Sequence, residues 1–239
     1  MRFLLLKIRF ALFTFSHFLI LPYIYYKKAS MSFGDFKNYM SKYPVNWGSK
    51  ILKWSDAEVE TVGLENIPGE AVVIVSNHQA GHDIPLLFAK MTNNPSFIAK
   101  IELSRIPLFA SWMRMLGCLF IDRSSPRKGL ESFKAAAEII KKGQTVIIFP
   151  EGTRRPTIIP FKKGSFKLPI MAGVPILPVT IVGTEKIIDN FKAGRRSKVT
   201  LVIDKPINIS AMSKEAQNTI HDDVRAMILH NFENYSAVN

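Results

Sequence analysis

The sequence predicts an α/β fold: a mainly parallel or mixed sheet flanked by helices, preceded by an N-terminal helical segment that associates with membranes. Three observations predict it. From about residue 58 onward, short apolar runs rich in Val and Ile alternate with longer stretches of helical period. Many of these runs are apolar throughout, as expected of strands covered on both faces. The first 54 residues lack this alternation and are aromatic and basic instead. The 239 residues, 47% of them hydrophobic, suffice for a sizeable core. There is no internal repeat and no low-complexity tract.

In chain order, Arg2, Lys7 and Arg9 precede residues 10–26, which carry no formal charge, and Lys27 and Lys28 close the run. Its 17 residues lie at the lower limit for a spanning helix. Positive charge at both ends gives no orientation, Pro22 breaks the run, and no small-residue cleavage site follows it. The expectation is a segment that dips into one leaflet, with its basic ends near anionic headgroups. Residues 32–54 follow with Phe33, Phe36, Tyr39, Met40, Tyr43, Trp47, Ile51, Leu52 and Trp54, interrupted by Pro44 and Gly48. They read as two short helices at the membrane surface, or as aromatics packed on the core. The chain thus divides into a membrane-associated segment, 1–54, and a second domain, 55–239.

Strands are expected near 58–62, 71–76, 96–100, 118–121, 144–149, 175–182 and 198–204. Helices are expected at 84–92, 107–116, 127–142, 163–172 and 213–233. The turn Ala193-Gly194-Arg195-Arg196-Ser197 is a basic loop. The single cysteine, Cys118, excludes an intrachain disulfide and reads as a buried, inert thiol in an apolar strand. The net charge of +13 suits anionic partners, among them lipid phosphate, a phosphopantetheine arm and an acidic membrane face. Nucleic acid is not expected, because no signature of it exists beyond charge.

The richest segment is Asn77-His78-Gln79-Ala80-Gly81-His82-Asp83. It joins an apolar strand to the helix opened by Ile84 and Pro85. Such junctions face the cleft at the carboxyl ends of strands. An imidazole oriented by a carboxylate is a general base near neutral pH. Five residues exceed one helical turn, so His78 and Asp83 meet only if the chain turns between them. On this segment alone, Asp83 as a helix cap and His78 as a structural histidine are equally acceptable. No third ligand accompanies His78 and His82, so no metal is expected.

Further segments extend the pattern. Asp122-Arg123 follows the apolar stretch Cys118-Leu119-Phe120-Ile121, and Pro150-Glu151-Gly152-Thr153-Arg154 follows Val146-Ile147-Ile148-Phe149. A proline-bracketed strand begins at Val174-Pro175-Ile176. Lys100-Ile101-Glu102-Leu103 and Phe161-Lys162-Lys163-Gly164 accompany them. Together, in order and spacing, these resemble the four motifs of the glycerolipid acyltransferases, closest to the bacterial 1-acyl-glycerol-3-phosphate acyltransferases, over about residues 58–205. One departure stands out: Ala80 occupies the place where members usually carry serine.

The resemblance implies an enzyme that moves a fatty acyl group from acyl-CoA or acyl-carrier protein to the sn-2 hydroxyl of lysophosphatidic acid, giving phosphatidic acid, without a cofactor. His78 would be the base and Asp83 its orienting carboxylate. Arg123 and Arg154 would clamp the acceptor phosphate through the planar guanidinium fork, with Lys100 as a weaker candidate. Glu151, Gly152 and Thr153 would complete the substrate site. Glu151 would orient an arginine or a substrate hydroxyl. Val174, Pro175 and Ile176 would line an acyl pocket or belong only to the core. Amides near residues 79–84 would stabilise the oxyanion. Membrane lipids would be partners, and the place of action the cytoplasmic face of the inner membrane, without a span. The alternatives are another acceptor (a different lysophospholipid, glycerol 3-phosphate or a lyso-aminolipid) and a non-catalytic protein binding anionic lipid.

Overall fold

A computed structural model describes residues 2–122 and 124–237. Three helices come first: α1 (Arg2–Leu19), α2 (Leu21–Ser30) and α3 (Phe33–Trp54). Then strands and helices alternate: β1 (Ala57–Val62), β2 (Val73–Ser76), α4 (Asp83–Lys90), β3 (Ser96–Lys100), α5 (Pro107–Met115), β4 (Leu119–Ile121), α6 (Pro126–Lys141) and β5 (Val146–Ile148). The chain continues with α7 (Lys167–Ala172), β6 (Ile176–Val182), α8 (Ile187–Lys192), β7 (Ser197–Ile203) and α9 (Lys214–Ser236). The expected strands all form. The expected helix at 163–172 begins as a tight turn at Lys163–Phe166 before α7, and α8 was not foreseen.

The strands build one seven-stranded sheet in the order β1-β7-β6-β2-β5-β3-β4. Neighbours run parallel except β6 and β7. The sheet is therefore mixed, and β2, β3, β5 and β6 point their carboxyl ends to one edge. Pleating sends alternate residues to opposite faces. Ile74, Ile147, Leu177, Val179 and Ile181 pack on one side, with Leu86 and Leu87 of α4 and Leu52 of α3. Val73, Val75, Val146, Ile148 and Ile176 pack on the other, with residues of α6, α7 and α9. Two faces, each covered by helices, explain why the central strands are apolar throughout.

The N-terminal region differs from the sequence expectation. Residues 33–54 form one helix, not two, and Pro44 and Gly48 lie inside it. Phe36, Met40, Pro44 and Gly48, four residues apart, share one buried stripe with Ile51 and Leu52. A Cβ on Gly48 would lie 2.3 Å from the carbonyl oxygen of Pro85. The two helix breakers thus sit where α3 meets its neighbours most closely, and that packing outweighs their poor propensity. α3 packs on α4, and its Leu52 joins the core on that face of the sheet.

α1 and α2 meet at a 44° bend. Among the described residues, no single helix is long and apolar enough to cross a membrane, and α1 and α2 pass that test only as a bent pair. Leu4, Leu12, Phe15, Leu19 and Tyr26 are each more than half exposed.

Candidate active site

His78 leaves the carboxyl end of β2 two residues after Ser76. The side chain of Asn77 continues the β2–β6 ladder beyond the strand: its Nδ2 donates to the Ile181 carbonyl and its Oδ1 accepts from the Ile181 amide, both at 2.8 Å. This fixes where the turn starts. The chain then folds back, and Asp83 opens α4.

The imidazole Nδ1 of His78 lies 2.6 Å from Asp83 Oδ2. The same oxygen accepts from the amides of Gln79 at 2.7 Å and Ala80 at 3.0 Å. Asp83 is fully buried. A buried carboxylate needs such donors to remain charged. Donation from Nδ1 to the carboxylate leaves Nε2 as the basic nitrogen. The ring of Phe149 stacks on the imidazole, centroids 4.0 Å apart and planes 14° apart, so the ring plane is fixed as well. Asp83 does not cap α4; its carboxylate reaches back to the turn. The amides of residues 79 and 80 are thereby occupied, which removes them from the oxyanion candidates.

Glu151 stands behind this turn. Its Oε2 accepts from the His78 amide at 3.3 Å, while Oε1 is buried without a hydrogen-bond partner. Burial pushes the carboxyl up to about 7, the amides of His78 and Ile159 opposing. Glu151 is buried and supports the backbone of the base through the His78 amide. Gly152 adopts φ +71°, and a Cβ there would lie 2.6 Å from Lys162 Nζ. The left-handed conformation favours glycine. Thr153 is exposed.

Arg154 approaches the base directly, its Nε 3.4 Å from His78 Nε2. The Arg155 amide donates to the His78 carbonyl at 2.8 Å, tying this loop to the turn. His78, Lys100, Gly152 and Arg154 all line one cavity of about 620 Å³. Its other walls are largely apolar and include residues of α1, α3 and α5, with Phe10, Tyr43, Trp47, Trp112 and Met113 among them. Arg123, the other expected phosphate ligand, lies outside the described residues.

The sheet register places Val174, Pro175 and Ile176, expected in an acyl pocket or in the core, away from the cavity. Ile176 pairs with Val73 at the start of β2, whereas His78 follows its end. The three residues lie near the amino ends of the strands, and Val174 and Ile176 belong to the opposite core face. None lines the cavity. Cys118 does line it, and burial pushes its thiol up to about 11. His82 points away from the base, with Nε2 3.1 Å from Ser55 Oγ at the end of α3, and burial lowers its pKa. Sequence reasoning missed Phe149, Asn77 and Lys162 as parts of the site. The Phe161-Lys162-Lys163-Gly164 segment was a signal for the last of these.

Comparison with known proteins follows the same lines. The sequence model of the Acyltransferase family matches residues 58–182. A chloroplastic 1-acyl-sn-glycerol-3-phosphate acyltransferase of Brassica napus is 36% identical over 171 residues, 68% of this chain and 49% of the relative. A probable 1-acyl-sn-glycerol-3-phosphate acyltransferase of Mycoplasma pneumoniae is 34% identical, covering 73% of this chain and 71% of the relative. The chain spans about half the length of the plant relatives it matches. The crystal structure of the 1-acyl-sn-glycerophosphate (LPA) acyltransferase PlsC from Thermotoga maritima superposes with a TM-score of 0.80 at 30% identity, covering 99% of this chain and 98% of that one. Since the family match takes in β2, the His78–Asp83 turn and the loop of Arg154, the chain belongs to the acyltransferase family.

Proposed function

We propose that the protein is a 1-acyl-sn-glycerol-3-phosphate acyltransferase, transferring a fatty acyl group from a thioester to the sn-2 hydroxyl of lysophosphatidic acid. The observation that carries this reading is the single cavity in which an oriented imidazole, two cations and an apolar lining meet. Its volume lies within the range of small-molecule sites. The names of the relatives and of the Thermotoga structure support the same acceptor.

The chemistry follows from the geometry. The acceptor hydroxyl displaces Arg154 from His78 Nε2 and gives its proton to that nitrogen as its oxygen attacks the thioester carbonyl carbon. Asp83 holds the imidazole in place and stabilises the imidazolium. The tetrahedral intermediate collapses, the C–S bond breaks, and the thiolate takes the proton back from His78. A thiol of pKa about 8.5 is a good leaving group and needs little further help. Arg154, freed from the imidazole, and Lys100 bind the acceptor phosphate. The acyl chain of the donor occupies the apolar part of the cavity. Transfer is direct, because burial holds Cys118 as a thiol and no base lies within hydrogen-bonding distance of it among the described residues.

The donor is acyl-CoA or acyl-carrier protein, and no cofactor takes part. The exposed apolar residues of α1 and α2, flanked by Lys7, Arg9, Lys27 and Lys28, seat the enzyme in one leaflet on the cytoplasmic face of the inner membrane. Glutamate at Leu12, Phe15 and Leu19 together should abolish co-flotation with anionic vesicles and spare turnover of a short-chain, monomeric acceptor.

The deciding experiment is an assay of purified protein with both donors and a panel of lysolipid acceptors. Lysophosphatidic acid should give the highest kcat/KM. Equal or better use of an acceptor without a phosphomonoester would overturn the assignment.

A further inference from the structure

We infer that Thr184 is a positioning residue of the catalytic pair, the group that fixes the second oxygen of Asp83. Asp83 Oδ2 is already occupied by His78 and two amides. Oδ1 has one partner among the described residues, a short hydrogen bond from Thr184 Oγ1. Both side chains are buried, so water does not compete for either. A carboxylate held at one oxygen only can swing about its Cβ–Cγ bond. Held at both, it keeps the imidazole in one plane and one tautomer.

The path of the chain to this contact is itself constrained. Asn77 locks the end of β6 beside the catalytic turn through Ile181. Two residues later Gly183 takes φ +92°, and a Cβ there would lie 2.5 Å from the carbonyl oxygen of Lys198. Only glycine allows that bend, and the bend delivers Thr184 to Asp83. Gln79 Oε1 lies 3.3 Å from the same hydroxyl, while Gln79 Nε2 donates to the Pro156 carbonyl at 3.3 Å. The hydroxyl has one hydrogen, and the closer, charged oxygen of Asp83 takes it. Thr184 lies two residues past the segment that the family match covers.

The test uses the full chain in detergent and compares Thr184→Val, which keeps the shape and removes the donor, with Thr184→Ser, which keeps the donor. Thr184→Val should lower kcat at least about ten-fold, the scale seen when a partner that orients a functional group is lost. KM for the acceptor should stay unchanged. The downfield proton resonance of the His78 Nδ1–H should move in Thr184→Val and stay in place in Thr184→Ser, which should recover most of kcat. If valine fails to fold, Thr184→Ala takes its place. Wild-type kcat in the folded non-donor variant would overturn the inference, as would a serine variant as impaired as valine with a lowered melting temperature. The turnover readout rests on the proposed acyl transfer, whereas the proton resonance does not. An inactive wild type with the predicted resonance shifts would therefore count against the function alone.

Discussion

The two ends of the cavity are held by different forces. At the His78 end almost every polar atom is committed: Asp83 accepts four hydrogen bonds, Asn77 makes two, and the backbone on both sides of the His78 side chain is tied to the loop after β5. At the α1–α3 end the walls are aromatic. Trp47 to Thr14 at 3.3 Å is a rare directional contact there, and edge-to-face pairs such as Phe13–Trp54 and Phe10–Trp47 carry the packing. Hydrogen bonds define position to a fraction of an ångström, whereas apolar packing tolerates exchange of one occupant for another. Proton transfer needs the first property, and accommodation of a flexible chain needs the second.

Four changes would break or sharpen this contrast. The largest effect is expected at the polar end. His78→Ala should lower kcat by at least about 10²-fold, the usual scale for a general base, with the melting temperature nearly unchanged. Retained turnover would move the chemistry elsewhere. Arg154→Ala should raise KM for lysophosphatidic acid on the order of ten-fold, equivalent to about 1.4 kcal/mol. Arg154→Lys should recover only part, because the ammonium lacks the paired geometry of the guanidinium. Steady-state kinetics with a phosphate-free acceptor as control would show whether the loss is specific to phosphate.

Gly48→Val tests the apolar side. Its side chain meets the Pro85 backbone, which cannot move without shifting α4 and hence Asp83. Overpacking of this kind costs about 1–3 kcal/mol. The melting temperature should fall and activity with it, whereas valine at the exposed Gly34 should have no such effect.

The smallest effect concerns Glu151. Its carboxyl titrates near 7 in the folded protein, against an ordinary value of 4.5. Between those values the unfolded chain gives up this proton before the native state does. Stability therefore declines as pH rises through that window and stays lower above it. Glu151→Gln removes the ionisation. The variant should gain melting temperature over wild type at pH 8 and gain less at pH 5. Burial of His82 works in the other direction as pH falls, but it is common to both proteins and drops out of the difference.

Much of the site was legible because its residues lie at strand ends. A run such as Val72-Val73-Ile74-Val75 announces a buried strand, and a polar cluster directly after it has to face the sheet edge. The turn that brings His78 to Asp83 was foreseeable as a requirement of their spacing. The surroundings of Glu151 were not legible, since a carboxylate beside a glycine and an arginine looks like a ligand contact. Burial and the His78 amide turn it inward instead. Thr184 carried no signal at all: it is 101 residues from Asp83, and only the order of strands in the sheet makes them neighbours.

By itself, the sequence determined the α/β alternation, the strand ends and the residue types at the reacting centre. Periodicity, turn chemistry and motif spacing are local properties. The tertiary structure decided what lies opposite each of those residues. It made α3 a single core helix despite Pro44 and Gly48, because close packing against α4 outweighs helix propensity. It put the cavity wall on α1, α3 and α5 and not at Val174–Ile176, because strand direction sends the amino end of β6 away from His78. And it joined Thr184 to Asp83 across the sheet, a contact set by register, which no short stretch of chain encodes.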